Sequence, residues 1–208
     1  VLTFFTLIAL SAFGQDAKAD AVLSKLSTKI KSHTSFYIEY TVNIKNDATN
    51  TDENNSGKGW VKDDKYHASF GDNTIISNGK KTWTIVKEEK AVYESDADED
   101  DDESINPKKL MTIWENGFKS KYGKETTLSG NAMDVIYLYP INPNERDYHT
   151  VVLYISKKTN ELNRVVLRYK DGTVMTFKLS VYKENPTVSD SKFVFNRQKY
   201  PGYPVVQD

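Results

Sequence analysis

Apolar and polar residues alternate through the last third of the chain, residues 134–208, which predicts a succession of short strands. Two short polar segments, Lys157-Lys158-Thr159-Asn160 and Lys170-Asp171-Gly172, interrupt the alternation. Connections of this length join antiparallel neighbours, so these strands should form hairpins. The pattern therefore predicts a sheet with one apolar face, and something has to cover that face.

The same alternation begins soon after the N-terminal region. A long strand is predicted on the alternating residues Phe36, Ile38, Tyr40, Val42 and Ile44. A polar loop is predicted over residues 46–56. The remaining predicted strands are 57–62, 66–70, 74–77, 81–86, 91–94, 125–128, 133–139, 148–156, 162–169, 173–184 and 192–195. The Asn78-Gly79 pair supplies the positive-φ residues that a tight hairpin turn requires.

Two amphipathic helices are predicted as the cover. The first spans residues 17–31, with Ala19, Val22, Leu23, Leu26 and Ile30 at spacings of three and four. The second begins at Asn106-Pro107, a cap residue followed by proline at the first helical position, and ends at Gly117 or Gly123. Its apolar stripe is Leu110, Met111, Trp114 and Phe118.

An open sheet of about eleven strands does not stay flat. The fold class predicted is α+β, a single curved antiparallel sheet that forms a half-barrel and is covered by two or more short helices. At 208 residues with 38% hydrophobic and 27% charged residues, the chain has the size and composition of one globular domain and is too polar for a membrane bundle.

The first residues predict export. Residues 1–10 are apolar except for Thr3 and Thr6, and Ala12-Phe13-Gly14 offers the small residues of a signal-peptidase site. We interpret residues 1–14 as a signal peptide whose basic n-region is missing and residues 15–208 as the mature domain. The alternative interpretation is an ordinary buried helix. A membrane-spanning helix is not predicted, because the apolar run is about half of the roughly 20 residues that a membrane span needs.

Charge is distributed unevenly. The formal net charge is −1, but seven of the 29 acidic residues lie within residues 96–103, so the rest of the chain has 22 acids against 28 Lys and Arg. One interpretation of this excess of basic residues is a basic face that binds an acidic partner. The favoured interpretation is that dispersed lysines protect the edges of strands from aggregation. Because the basic residues form no stripe in the sequence, nucleic acid is not predicted as a partner.

The sequence offers no catalytic constellation. His33, His67 and His149 are scattered, and there is no nucleophile elbow or phosphate loop. The acidic run 95–104 lacks the register of a calcium loop, so a solvated loop is favoured over a metal site. Without cysteine, thiolate metal sites, disulfides and lipidation of the chain itself are excluded. We therefore predict no enzyme activity, no cofactor and no metal.

A succession of short segments resembles the LolA family of periplasmic outer-membrane lipoprotein carriers. The segments are Gly57-Lys58-Gly59-Trp60, Asn78-Gly79-Lys80-Lys81-Thr82-Trp83, Asn106-Pro107-Lys108-Lys109-Leu110-Met111, Asp171-Gly172 ahead of Phe177, and an end that runs from Phe193 and Phe195 to Val206. They follow the order and spacing of the family over nearly the whole mature chain.

The resemblance implies a monomeric periplasmic carrier that holds the acyl chains of a triacylated lipoprotein. The implied partners are an inner-membrane lipoprotein-releasing ABC transporter as donor and an outer-membrane acceptor. The residues expected to line an acyl-chain cavity are Phe36, Ile38, Tyr40, Trp83, Ile85, Leu110, Met111 and Trp114. The alternative interpretation is that the inward aromatic residues form an ordinary hydrophobic core and line no ligand cavity. An envelope sensor with the same fold, similar to RseB, and a lipid-acting hydrolase also stay open as functions.

The chain departs from the family pattern at one point. Members of the proteobacterial type commonly carry an Arg-Pro pair shortly after the tryptophan, and that arginine is implicated in holding the helical lid. Here Asp63-Asp64 follows Trp60-Val61-Lys62. Lys62 or Lys65 could substitute in part, although lysine does not provide the bidentate fork of arginine.

Overall fold

A computed structural model describes residues 11–97 and 111–207. Helix α1 spans Ser11–Lys31, so its C-terminal end lies where the sequence predicts it and its N-terminal end six residues earlier. From Ala17 onward, where its side chains are described, α1 buries Ala19, Leu23, Leu26 and Ile30. The predicted apolar stripe is thus the buried side of the helix.

Within residues 11–97 and 111–207, thirteen strands form one sheet. They are β1 (Ser35–Asn46), β2 (Thr51–Lys62), β3 (Lys65–Phe70), β4 (Asn73–Ser77), β5 (Lys81–Val86), β6 (Ala91–Asp96), β7 (Phe118–Tyr122), β8 (Thr126–Leu128), β9 (Asn131–Pro140), β10 (Tyr148–Ser156), β11 (Leu162–Tyr169), β12 (Val174–Glu184) and β13 (Val205–Gln207). Short 3₁₀ turns lie at Pro143–Glu145, Asp190–Phe193 and Arg197–Lys199.

The sheet is antiparallel throughout except at one edge. Its order is β13-β6-β5-β4-β3-β2-β1-β12-β11-β10-β9-β7, and β8 also pairs with β9. Only β13 runs parallel to its neighbour, β6. The two ends of this order are not paired with each other, so the sheet is curved but unclosed, as the predicted half-barrel requires.

Side-chain alternation gives the sheet two distinct faces. We call the side that carries Ile38 and lies under α1 the helix face, and the side that carries Tyr37 the outer face. The main apolar cluster fills the helix face and joins α1 to β1, β9, β10, β11 and β12. Ile38, Ile136, Leu138 and Leu153 are fully buried in it. The core therefore lies between one helix and a broad sheet.

The predicted polar loop at residues 46–56 is wrong. β1 and β2 continue as a paired ribbon through this region, and only residues 47–50 form the turn, with Asn50 at a φ of 55°. The amide of Asn43 donates to Asp52 and Asn54 across the ribbon. β12 pairs with the other edge of β1 at the same level. Backbone pairing on both sides of β1 therefore outweighs the polar composition.

The predicted strand at residues 192–195 is also wrong. Asp190–Phe193 is a 3₁₀ turn, capped by the side chain of Ser189, and it places Phe193 in a fully buried position. β7 and β13 are strands that the sequence pattern does not indicate. Each is short and is held in the sheet by backbone pairing with a neighbouring strand, β9 for β7 and β6 for β13.

The second predicted helix is not present in the described residues. Residues 111–117 form turns and bends, and Gly117 has a φ of +80°. The chain then enters β7, and the N–H of Ile141 donates to the carbonyl of Gly117. Residues 106–110 of that prediction, the signal segment 1–10 and most of the acidic run lie outside the described residues.

Candidate functional site

The space between α1 and the sheet brings together five of the predicted cavity residues. Phe36, Ile38, Tyr40, Met111 and Trp114 belong to the same apolar cluster, and each is at most 6% exposed. The first three alternate along β1, whereas the last two lie on the turn segment that leads into β7. α1 and residues 111–117 therefore form the cover over this part of the helix face.

Trp83 and Ile85 lie on the outer face and do not join this cluster. Ile75 packs on the helix face, so its neighbour Ile76 points the other way. Trp83 is the cross-strand partner of Ile76 and lies on the same side. Ile85 packs with Ile76 and Val92 under the C-terminal segment. Alternation within a strand identifies two faces but does not say which of them a distant segment covers. Leu110, the remaining predicted residue, lies outside the described residues.

Two polar contacts join residues 111–117 to α1. The indole Nε1 of Trp114 donates to Oγ of Ser27 at 2.8 Å. Nζ of Lys31 lies 3.0 Å from a carboxylate oxygen of Glu115. The ring of Trp114 is also buried in the apolar cluster. Residues 111–117 are therefore attached to α1 by the Trp114 side chain and by the ion pair between Glu115 and Lys31.

A second set of contacts ties the C-terminal half of α1 to the sheet. Lys29 lies 2.8 Å from Glu161 and 3.0 Å from Glu184. Burial lowers the pKa of Lys29, but its hydrogen bonds and attraction to both carboxylates outweigh burial and raise it above 10.5. The hydrogen bond from Lys29 in turn lowers the pKa of Glu184. Nδ1 of His33 also lies 2.9 Å from the hydroxyl of Tyr182.

The N-terminal half of α1 makes lighter contacts with β7. The hydroxyl of Ser120 donates to Asp20 at 2.6 Å. The ammonium of Lys18 lies 3.8 Å from the ring centre of Tyr122, and it also pairs with the exposed Glu125. Exposed ion pairs contribute little to stability, so packing of the apolar stripe holds this end of the helix.

A buried polar pair lies below this end of the helix. The hydroxyl of Tyr122 donates to Asp134 at 2.5 Å. Burial first, and then the hydrogen bond and the charge of Asp134, raise the pKa of Tyr122 well above its usual value. Sequence reasoning does not find this pair, because Asp134 occupies an inward position of β9 that alternation assigns to an apolar residue.

Gly57 allows Tyr40 to lie flat against β2. The two residues are cross-strand partners, and a Cβ at Gly57 would lie 2.5 Å from the Tyr40 ring. The Tyr40 hydroxyl donates to the carbonyl of Ser69 at 2.9 Å, and burial raises the pKa of Tyr40 to about 12. The glycine of the Gly-x-x-Trp-like segment thus has a packing role on the helix face.

The Asp63-Asp64 positions form the turn between β2 and β3, with Asp63 at a φ of 53°. Lys62 and Lys65 both pair with Asp190, at 2.9 and 3.4 Å. Neither lysine pairs with α1 in the described part of the chain. Among the described side chains, the ion pairs between the C-terminal half of α1 and the sheet are instead made by Lys29, so a partial substitution by Lys62 or Lys65 stays a prediction.

A small pocket lies beside the cover. A pocket with an empty volume of about 180 Å³, including space open to solvent, lies at the C-terminal end of α1. Leu26, Met111, Leu162 and Tyr182 are among its lining residues. Sites for drug-sized ligands are typically about 300–1,000 Å³. A ligand of that size does not fit into this pocket unless the residues around it move.

The three histidines occupy separate places. His33 lies beside Tyr182, as described above. Nδ1 of His67 lies 2.7 Å from the carbonyl oxygen of Lys192, and Nδ1 of His149 lies 2.8 Å from the hydroxyl of Thr150. Burial, together with nearby lysines, lowers the pKa of His67 despite its hydrogen bond. Within residues 11–97 and 111–207, no group of three or more potential metal ligands occurs.

Comparisons with known proteins agree with this geometry. The model of the family "Outer membrane lipoprotein carrier protein LolA" matches residues 70–196, and the chain belongs to that family. A comparison with curated proteins found no match. In the parts of the chain that the structure describes, no helix is long and apolar enough to cross a membrane.

Solved structures share the fold at low sequence identity. An uncharacterized conserved protein from Thermus thermophilus has a TM-score of 0.62 at 12% identity, over 92% of this chain and 99% of the other. A DUF1329 family protein from Desulfovibrio piger has a TM-score of 0.53 at 10% identity, over 89% and 99%. The Mycobacterium tuberculosis lipoprotein LppX has a TM-score of 0.51 at 10% identity, over 84% and 100%. These likenesses show that the three proteins share the fold of this chain.

Proposed function

We propose that this protein is a periplasmic carrier that binds the acyl chains of lipoproteins between α1 and the helix face and moves them from the inner membrane toward the outer membrane. The observation that carries this proposal is the cover over a broad apolar face, which consists of a single helix and a turn segment. The proposed lining consists of Phe36, Ile38, Tyr40, Met111 and Trp114, with Leu110 as the adjoining residue from the sequence prediction.

The free energies support exchange of the cover for a ligand. An acyl chain with about fourteen methylenes gains about 11 kcal/mol when it leaves water, at about 0.8 kcal/mol per methylene. Displacing four large apolar side chains of the cover, such as Leu23, Leu26, Met111 and Trp114, costs about 6–12 kcal/mol at 1.5–3 kcal/mol each. The two quantities are similar for one acyl chain, so one chain of the cargo can exchange with these cover contacts at a small net change in free energy.

The polar contacts determine where the cover opens. Residues 111–117 are joined to α1 by Trp114 and Glu115, whereas α1 is joined to the sheet mainly through Lys29. A ligand that enters beside Leu26 would meet the pocket already present there. We propose that the Lys29 contacts with Glu161 and Glu184 act as the latch in place of the arginine found in other family members.

The cargo and partners follow from the family. We propose a triacylated lipoprotein as cargo, a lipoprotein-releasing ABC transporter of the inner membrane as donor, and an outer-membrane acceptor. Native mass spectrometry of the protein isolated from periplasm should detect a bound acylated polypeptide or lipid. Protein that is always empty and takes up no purified lipoprotein would contradict the proposal.

A matched pair of variants tests the location of the cargo. Trp114→Asp should abolish cargo retention, because a charge would enter the apolar cluster. Ile141→Asp introduces the same charge at a side chain that is 56% exposed and should leave retention unchanged. Equal retention in both variants, with circular dichroism confirming a native fold, would place the cargo elsewhere.

The absence of cysteine from the sequence permits a direct test of movement. Asp20 and Ser120 are short side chains in contact between α1 and β7, so Asp20→Cys with Ser120→Cys should form a disulfide that fixes the helix on the sheet. The oxidised protein should bind no acyl ligand, and reduction should restore binding. Each single cysteine variant is the control. Full binding by the oxidised protein, once mass spectrometry verifies the disulfide, would refute displacement of α1.

A further inference from the structure

The outer face of the sheet carries a cationic surface that the sequence does not reveal. Six basic residues occupy outward positions on three strands and form what we call the basic face: Lys119 and Lys121 on β7, Arg164 and Arg168 on β11, and Lys178 and Lys183 on β12. Arg164 and Lys178 are direct cross-strand partners. Pairing of distant strands thus collects charges that are dispersed in the sequence.

Acidic residues do not balance this surface. The outward positions of β7, β9, β10, β11 and β12 include no carboxylate. The one outward carboxylate of β1 is that of Glu39, which accepts a hydrogen bond from Tyr37 at 2.6 Å. None of the six basic residues forms an ion pair with a carboxylate in the part of the chain that the structure describes. Nε of Arg164 is buried and has no hydrogen-bond partner there.

Aromatic rings lie beside these cations on the same face. The Arg164 guanidinium lies 5.4 Å from the ring centre of Tyr154, and the Lys183 ammonium lies 5.6 Å from that of Tyr37. Lys121 is the cross-strand partner of Tyr137. Between them, an apolar cluster of Val135, Val152 and Val166 fills the face. Amphipathic aromatic rings next to Lys and Arg are the combination found at the level of lipid headgroups.

We propose that the basic face docks the protein on a bilayer that contains anionic phospholipids. The occupant is a lipid surface rather than an acidic protein segment, because the cations are spread over the outward positions of three strands and lie beside aromatic rings. A diffuse anionic surface of lipid headgroups matches such spread charges. This inference goes beyond cargo binding, since the basic face and the helix face lie on opposite sides of the sheet.

Vesicle co-sedimentation tests the proposal on the full chain without cargo. The wild-type protein should bind vesicles of phosphatidylglycerol and phosphatidylcholine, bind pure phosphatidylcholine vesicles much more weakly, and dissociate in high salt. Charges near an anionic surface contribute about fivefold each, so the triple variant Arg164→Gln, Lys178→Gln, Lys183→Gln should bind on the order of a hundredfold more weakly.

A second triple variant with the same change in net charge is the control. Lys25→Gln, Lys90→Gln, Lys158→Gln removes exposed lysines that lie away from the basic face, and its vesicle binding should stay within a fewfold of wild type. Equal losses in the two triple variants would overturn the proposal, as would absence of wild-type binding to anionic vesicles. Binding of poly-glutamate through the three basic-face residues without vesicle binding would likewise overturn it and identify an acidic polypeptide as the partner. Acyl-ligand binding in buffer should be unchanged in both variants, which separates this test from the carrier proposal.

Discussion

The hydrogen bond from Trp114 to Ser27 should control how readily residues 111–117 leave α1. Trp114→Phe keeps an aromatic ring in the apolar cluster and removes the donor that lies 2.8 Å from the Ser27 hydroxyl. A hydrogen bond of this kind contributes a net 0.5–1.5 kcal/mol, so the population with this segment detached should rise about two- to thirteenfold. Full burial of Met111 and Trp114 contributes about 3–6 kcal/mol together, so the segment should still be attached most of the time.

Hydrogen exchange of the backbone amides of residues 111–117 measures this population directly. Exchange should accelerate in Trp114→Phe, and an apolar fluorescent probe should bind faster, while the melting temperature changes little. Ser27→Ala removes the acceptor and should have a similar effect. In a double-mutant cycle the two changes should couple by about 1 kcal/mol, because they remove the same bond.

Two results would refute this reasoning. If the two single changes are additive within about 0.5 kcal/mol, the bond does not act as a unit. If exchange accelerates but probe binding does not, detachment of residues 111–117 is not the step that admits a ligand. In that case displacement of α1, which the disulfide between positions 20 and 120 blocks, is by itself the step that admits a ligand.

Three further predictions concern stability. Gly57→Ala should cost about 1–3 kcal/mol in the free energy of unfolding, measured by urea denaturation, because the new Cβ overlaps the Tyr40 ring and a strand carbonyl; an unchanged midpoint would show that both can shift freely. Phe193→Ala should cost about 3–5 kcal/mol, since that ring is fully buried, and a loss below 1 kcal/mol would mean that the 3₁₀ turn contributes little. The lowered pKa of Glu184 beside Lys29 stabilises the fold above pH 4.5, and this contribution disappears as the pH falls through the lowered pKa. Stability should therefore fall below pH 4.5, and Glu184→Gln should show a shallower fall; identical pH profiles would contradict the latch.

Some features follow from local sequence because their causes are local. The apolar stripe of α1 repeats at helical spacing, and the structure confirms that its C-terminal end is at Lys31. β10 and β11 have the predicted bounds, since short turns join strongly alternating strands. The family segments identify a LolA-like chain, and the family model confirms that assignment. Five of the eight predicted cavity residues share one apolar cluster. Local sequence also accounts for this, because three of them alternate on one side of β1 and the other two lie in the turn segment 111–117.

Alternation along the chain determined that this protein has a sheet with two unlike faces and an apolar side to cover. Tertiary structure alone decided which face each strand presents to α1, because that depends on pairing between strands as distant as β1 and β12. It placed Trp83 and Ile85 on the outer face under the C-terminal segment and brought Arg164 next to Lys178 on the same face. Period-two patterns repeat identically on either side of a sheet, so only long-range packing distinguishes the face under α1 from the outer face.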